Sequence, residues 1–116
     1  VIVPARYKQK ILRWAPKQSE IWALDVRTGE VRWKYLVPLY YEWSAKGDME
    51  GFSDRRVHVP MRLICLPAAW GSPTLTGDGA VHVGNMDGFV YSVRDANGDG
   101  FIDPETEVSR FDSGGA

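Results

Sequence analysis

Two stretches of the chain repeat each other, and this repeat limits the possible folds more than any other feature of the sequence. Ile-Trp-Ala-Leu at 21–24 corresponds to Val-Tyr-Ser-Val at 90–93, and a glycine follows each at the same distance, Gly29 in the first copy and Gly98 in the second. In the second copy, eight further residues then separate Gly98 from Glu107, which begins the next apolar stretch. Paired apolar stretches joined by a turn glycine predict β-hairpins, and their repetition predicts similar, stacked sheets.

The rest of the sequence also favours an all-β fold. Short stretches rich in valine, isoleucine, tyrosine and tryptophan alternate with glycine, aspartate and proline, which is typical of strands and turns. No segment keeps the helical spacing of apolar residues for three turns without a glycine or proline. The predicted strands are 10–14, 20–26, 31–37, 62–66, 80–84, 89–94 and 108–112, and hairpin turns are predicted at 28–29, 77–79 and 86–88.

These motifs resemble the pyrroloquinoline-quinone-type (quinoprotein-like) β-propeller repeat. Ala-Leu-Asp-Val-Arg-Thr-Gly-Glu-Val-Arg-Trp at 23–33 is similar to the end of that repeat. Residues 71–93 contain stretches similar to its first three strands: Gly-Ser-Pro-Thr, Asp-Gly-Ala-Val-His-Val-Gly and Asp-Gly-Phe-Val-Tyr. The resemblance implies antiparallel propeller-type blades, with Trp33 and Phe111 packed between adjacent blades.

About two such blades fit in the chain, in four segments. These are a basic N-terminal segment at 1–19, a first partial repeat at 20–44, a long loop insertion at 45–62 and a second repeat with its own insertion at 63–116. The polar loop insertion is expected to lie on the surface and to be either functional or disordered. A closed ring needs about four to eight blades. Either the rest of a propeller is missing, as the lack of a terminating element after Phe111 suggests, or protein partners cover the open sheet edges.

An acidic loop lies inside the second repeat. Oxygen side chains occupy its positions 1, 3, 5 and 9, a carbonyl is available at position 7, and Gly100 at position 6 allows a sharp turn. Calcium takes several oxygen ligands around one point, and this spacing suits it. The sequence therefore predicts a calcium site whose ligands are Asp95, Asn97, Asp99, Phe101 and Asp103.

The setting of the loop predicts a structural site in a hairpin, like acidic loops inserted in other propellers. Position 12 is Thr106 where an EF-hand has a bidentate glutamate, and Glu105 or Glu107 could compensate. A predicted strand precedes the loop where an EF-hand would have a helix. The alternative is an acidic, glycine-rich surface turn that binds no metal.

No residue is assigned to catalysis or to an organic cofactor. Cys65 is the only cysteine, which excludes an internal disulfide and a cysteine-rich zinc site, and its apolar neighbours predict a buried side chain. His58 and His82 have no metal-ligand spacing, and no motif joins either to a serine and an acid. A quinone is not expected, because quinone enzymes of this repeat class use a full ring and many use a vicinal disulfide.

The aromatic residues between 33 and 43 have two interpretations. They lie close together in the sequence. Either they pack within a blade or they form an exposed contact patch, since aromatic side chains contribute strongly both to cores and to interfaces. The set is Trp33, Tyr35, Tyr40, Tyr41 and Trp43.

Charge and hydropathy narrow the range of partners. The formal net charge is −1, which argues against nucleic-acid binding. Residues 1–34 contain eight lysines or arginines and three acids, whereas residues 85–116 contain two and seven. The basic start is either a solvated surface or a match for an anionic partner or the acidic end. No apolar run approaches the roughly 18–20 residues that span a bilayer, and no secretory segment is present.

The expected function is a non-catalytic structural or protein-interaction module. It would act as an accessory subunit of a larger assembly, for example a membrane-associated complex. It would also hold one structural calcium ion. The alternative is a fragment of a quinoprotein-type oxidoreductase or other propeller enzyme whose active site lies outside this chain. An extracytoplasmic or organellar setting is favoured, because weak calcium loops fill where calcium is abundant.

Overall fold

The structure, a computed structural model, describes residues 1–5, 17–58 and 70–114. Within these ranges the chain is mostly β, and its strands form two antiparallel sheets. The first has the order β1-β2-β3, with β1 at Ile2–Ala5, β2 at Glu20–Leu24 and β3 at Val31–Leu36. The second has the order β4-β5-β6-β7, with β4 at Thr74–Leu75, β5 at Val81–Gly84, β6 at Phe89–Val93 and β7 at Val108–Asp112.

Each sheet contains the hairpin that the repeat predicts. β2 pairs with β3, and β6 pairs with β7, both antiparallel. Predicted turns are confirmed at Gly29, Gly79 and Gly88, where φ is +74°, +83° and +92°. The first hairpin contains a β-bulge, because β3 has one extra residue, Arg32, opposite the step from Ala23 to Leu24.

The segment at 45–58 differs from the sequence-based expectation. The predicted surface loop at 45–62 contains a 3-10 helix at Lys46–Asp48 and a helix, α1, at Phe52–His58. At seven residues, α1 is too short to show a three-turn apolar pattern. An ion pair between Arg55 Nη1 and Asp48 Oδ1, at 3.2 Å, joins the two short helices.

The strand β1 was also not predicted. It contains Pro4, which cannot donate to a sheet ladder, and it lies at the edge of the sheet among the described strands, where proline is tolerated. The predicted strands at 10–14 and 62–66, and Cys65, lie outside the described residues.

The hydrophobic core lies between the two sheets. The first sheet contributes Ile21, Ala23, Trp33 and Tyr35, and the second contributes Val81, Val83, Tyr91 and Val93. The rings of Tyr35 and Tyr91 meet across the interface with centroids 5.9 Å apart. Two polar contacts also join the parts of the chain that carry the sheets: Lys46 N donates to Met86 O, and Asn85 Nδ2 donates to Ser19 Oγ.

The aromatic residues divide between the two interpretations. Trp33 and Tyr35 are buried in the core, whereas Tyr41 and Trp43 are exposed. The prediction that Phe111 packs between blades is wrong for this structure, where its side chain is exposed. Phe111 is exposed because it is paired with Val90 on the face of the second sheet that points away from the first sheet.

Candidate metal centre

The acidic loop connects β6 to β7, as the sequence predicts for an insertion into a hairpin. Arg94 N donates to Glu107 O at 3.0 Å and closes the base of the loop. The first hairpin has the equivalent bond, from Asp25 N to Glu30 O at 2.8 Å. The two hairpins therefore share one closing geometry, and the residues between 94 and 107 replace a short turn.

Asp95 organises the first half of the loop. Its Oδ1 accepts a hydrogen bond from Gly98 N at 2.8 Å, and its Oδ2 accepts one from Gly100 N at 3.0 Å. Both glycines have positive φ, +73° and +80°. A Cβ at Gly100 would also lie 3.1 Å from Arg32 O, so glycine is needed there for both conformation and space. The sharp turn predicted at position 6 is confirmed.

Asn97 and Asp99 support the backbone that follows them. Asn97 Oδ1 accepts from Asp99 N at 3.0 Å, and Asp99 Oδ1 accepts from Phe101 N at 2.8 Å. The Asn97 amide also donates to Asp99 Oδ2 at 3.0 Å. Each polar side chain thus holds the amide two residues ahead, a local pattern that aspartate and asparagine favour.

Asp103 ends the predicted ligand set and begins the return to β7. Its Oδ1 accepts from Glu105 N at 3.0 Å, and its Oδ2 accepts from Thr106 Oγ1 at 2.7 Å. The hydrogen bond from Glu105 N, and then that from Thr106, lower the pKa of the Asp103 carboxyl below its ordinary value. The carboxylate of Asp103 is therefore the form that the loop stabilises.

Glu107 holds the acidic loop together, a role that was not predicted from the sequence. Its buried carboxylate accepts from three backbone amides, those of Ala96 at 2.8 Å, Asn97 at 3.3 Å and Asp103 at 2.9 Å. It therefore ties both ends of the loop to the start of β7. A signal was present: an acid directly before an apolar strand, after a long loop whose amides need acceptors.

Two neighbouring residues show how the loop meets the core. Ile102 is 5% exposed and belongs to the core cluster, whereas Phe101 is 71% exposed. The carbonyl proposed as a ligand at Phe101 therefore sits next to a side chain that anchors the loop. The contact of Gly100 with the bulged Arg32 places the other side of the loop against the first sheet.

The predicted ligands lie in one loop, but their carboxylates do not converge. Within the described ranges, no three histidine, cysteine, aspartate or glutamate side chains form a group that could hold a metal ion as they are placed. The oxygens of Asp95, Asp99 and Asp103 are directed at hydrogen-bond donors of the loop itself. No basic side chain of the described chain forms a salt bridge with any of these three acids.

A cleft of about 310 Å³ lies between the segment at 38–46 and the second sheet. In it, Tyr91 OH donates to Asp87 Oδ2 at 2.5 Å, and Tyr40 OH donates to Ser44 O at 2.8 Å. Burial, and then the hydrogen bond to Asp87, raise the pKa of Tyr91, and burial raises the pKa of Tyr40 to about 12. These phenols are therefore neutral hydrogen-bond donors rather than bases.

The histidines lie elsewhere. His58 Nδ1 is 2.8 Å from Asp54 O on α1, and His82 Nε2 is 3.4 Å from Thr76 Oγ1. Each contact is explained by local structure, since the partners are four and six residues away in sequence. The structure does not bring the two histidines into the acidic loop.

Comparison with known proteins adds no relative. A scan against protein-family models and searches of curated proteins and of solved structures find no match to this chain. The propeller-type resemblance stays a prediction that rests on the quoted motifs. Among the described helices, none is long and apolar enough to cross a membrane.

Proposed function

We propose that the chain is a non-catalytic structural and protein-interaction module of quinoprotein-like propeller-type repeats, in which one calcium ion stabilises the β6–β7 loop. The observation that supports this most is the charge of the loop. Asp95, Asp99 and Asp103 lie within nine residues, and no described basic side chain pairs with them. Like charges this close repel each other until a cation joins them.

The donor chemistry of the loop suits calcium. All proposed ligands are oxygens: the side chains of Asp95, Asn97, Asp99 and Asp103 and the carbonyl of Phe101. Each carboxylate oxygen has more than one lone pair, so a bond to a backbone amide leaves capacity for a metal. The acidic side chains are exposed or half-buried, so a cation from solvent can reach them.

A calcium ion at this place would stabilise the packing of the two sheets. The loop begins and ends on the second sheet, touches the first sheet at the Arg32 carbonyl, and inserts Ile102 into the shared core. Fixing the loop would therefore fix the position of one sheet on the other. This is the expected role of a structural ion in a module that presents its outer surfaces to protein partners, in an extracytoplasmic or organellar setting where calcium is abundant.

Thermal unfolding with and without calcium tests the proposal. If calcium binds with a Kd of about 0.1 mM, as weak extracellular modules do, then 10 mM calcium adds about 2.7 kcal/mol of stability. For a chain of this size that is about 10 °C in Tm. We expect this rise relative to the protein in chelator, a smaller rise with magnesium, and no rise for Asp99→Ala.

The matched control is Asp112→Asn, which removes one negative charge from the same hairpin at a site outside the loop. This variant should keep the full calcium response. Equal melting curves of the natural protein in calcium and in chelator would refute the site. An equal calcium response in Asp99→Ala would also contradict it, because a non-specific charge effect would then explain the rise.

A further inference from the structure

The two sheets bury opposite faces of equivalent strands. In the repeat, Ile21 of β2 corresponds to Val90 of β6, and strand pairing places Tyr35 beside Ile21 and Phe111 beside Val90. Ile21 and Tyr35 are 0% and 7% exposed, whereas Val90 and Phe111 are 38% and 70% exposed. The face that the first sheet buries is therefore exposed on the second sheet at Val90 and Phe111.

The converse holds for the alternate positions of the same strands. Trp22 and Leu24 of β2 correspond to Tyr91 and Val93 of β6. Tyr91 and Val93 are fully buried, whereas Trp22 and Leu24 are half-buried. Because side chains alternate across a strand, the first sheet turns one face to the interface and the second sheet turns the opposite face. The contact between the sheets is therefore heterologous: it joins two different surfaces.

This arrangement leaves two outer faces that match the two halves of the buried interface. The outer face of the second sheet consists of the paired positions Thr74, His82, Gly84, Val90, Ser92, Ser109 and Phe111. The outer face of the first sheet includes the paired positions Glu20, Trp22, Leu24, Val31, Lys34 and Leu36. Each outer face is the repeat equivalent of a surface that already packs against the other sheet.

Both outer faces offer apolar side chains, and two charged groups on the outer face of the first sheet, Glu20 and Lys34, lie against Trp22. The outer face of the second sheet has no aspartate, glutamate, lysine or arginine at its paired positions, and Ser92 stands where the buried face has the small residue Ala23. On the first sheet, Trp22 Nε1 already donates to Glu20 Oε2 at 2.7 Å, and Lys34 Nζ lies 4.6 Å from the Trp22 ring centre. The indole can therefore be covered without leaving an unpaired donor.

We propose that the outer face of the second sheet binds the outer face of the first sheet of a second copy of this chain. The inference rests on the proposed role as a protein-interaction module and names the partner. The contact repeats between molecules the packing that the two sheets have within one molecule. Such a contact is head-to-tail, so a series of bound copies keeps one free binding face at each of its two ends. Assembly therefore continues until a ring closes or a filament forms.

Two single-face variants test this directly in the full chain. Phe111→Lys places a charge on the outer face of the second sheet, and Leu36→Lys does so on the first. Each alone should weaken self-association at least about tenfold, because every contact needs both faces. A mixture of the two variants restores one intact pair of faces. It should form a one-to-one dimer, of twice 13.0 kDa, and nothing larger.

Sedimentation velocity over a range of protein concentrations, in constant calcium, measures these masses. The natural protein should form dimers and larger species, and the control Val57→Lys, at an exposed position on α1, should do the same. A natural protein that stays monomeric, or a mixture of the variants that stays monomeric while the natural protein associates, overturns the proposal. Melting curves of each single-face variant in calcium and in chelator show that the variant folds, and they report the calcium site apart from assembly because these variants do not associate.

Discussion

The two hairpins have the same base and different ends, and the difference concerns how charge is balanced. In the first, Asp25 Oδ1 accepts from the amides of Arg27 and Thr28, and Asp25 Oδ2 pairs with Arg32 at 2.8 Å. In the second, Asp95 also accepts two backbone amides, but no described basic side chain pairs with it. The short turn contains its own counter-charge, whereas among the described residues no basic side chain pairs with Asp95, Asp99 or Asp103 of the long loop.

The hairpins also differ in what anchors them. The turn of the first hairpin is exposed, and its hydrogen bonds are made within residues 25–32. The loop of the second hairpin is held by two buried groups, the Glu107 carboxylate and the Ile102 side chain. A short turn is thus stable through local contacts, whereas a long loop needs tertiary ones to offset its larger conformational entropy.

The largest effect should come from removing the apolar anchor of the long loop. Ile102→Ala should destabilise the protein by about 2–4 kcal/mol, because it removes buried side-chain volume from the shared core. Phe101→Ala, at the exposed neighbouring position, should change the free energy of unfolding by less than about 0.5 kcal/mol. Urea unfolding of both variants measures the difference. Similar losses for the two would mean that Ile102 does not anchor the loop.

A smaller effect is expected from the polar anchor. Glu107→Gln replaces one acceptor oxygen by an NH₂ group that faces backbone amides, and it should cost about 1–3 kcal/mol. Glu30→Gln makes the same change at the equivalent, exposed position of the first hairpin and should be close to neutral. Chemical unfolding at neutral pH compares them. If the Glu30 variant loses as much as the Glu107 variant, the two hairpins do not differ in anchoring.

The smallest expected effect is on stability at acid pH, and it involves Asp25 in the first hairpin. The hydrogen bond from Arg32, followed by those from the Arg27 and Thr28 amides, lowers the pKa of Asp25 from 3.8 to about 2. A carboxyl with a lowered folded-state pKa stabilises the protein above its unfolded pKa, and this stability is lost as the pH falls through the folded value. Melting temperatures should therefore fall between about pH 4 and pH 2, and less steeply in Asp25→Asn.

Arg32→Gln is the companion variant for this test. It keeps Asp25 but removes the partner that lowers its pKa most, so its acid profile should lie between those of the natural protein and Asp25→Asn. Asp78 and Asp103 also have lowered pKa values, so some acid dependence should remain in every variant. A profile of Asp25→Asn identical to that of the natural protein would show that this turn does not contribute to acid sensitivity.

Much of the local structure could be predicted from the sequence. The strands β2, β3, β5, β6 and β7 lie within two residues of their predicted ends, and the turns at Gly29, Gly79 and Gly88 are where expected. The position of the acidic loop within a hairpin followed from aligning Gly29 with Gly98. These features depend on residue type and on neighbours a few positions away, which a sequence displays directly.

Other features of the structure could not be predicted from the sequence. Helix α1 is too short for a periodic signal, and β1 contains a proline that argues against a strand. The three-amide role of Glu107 depends on a loop conformation that brings Ala96, Asn97 and Asp103 to one side chain. The alternation of apolar residues shows that a strand has two faces, but it does not say which face a neighbouring sheet will cover.

By itself, the sequence determined the hairpins, their turns and the acidic spacing of the long loop, because these follow from backbone sterics and from side chains that act on nearby amides. Only the tertiary structure decided that Trp33 and Tyr35 are buried while Phe111 is exposed, and that Ile102 and Glu107 anchor the loop. The physical reason is that burial depends on which surfaces meet, and the meeting of two sheets depends on contacts between residues far apart in the chain.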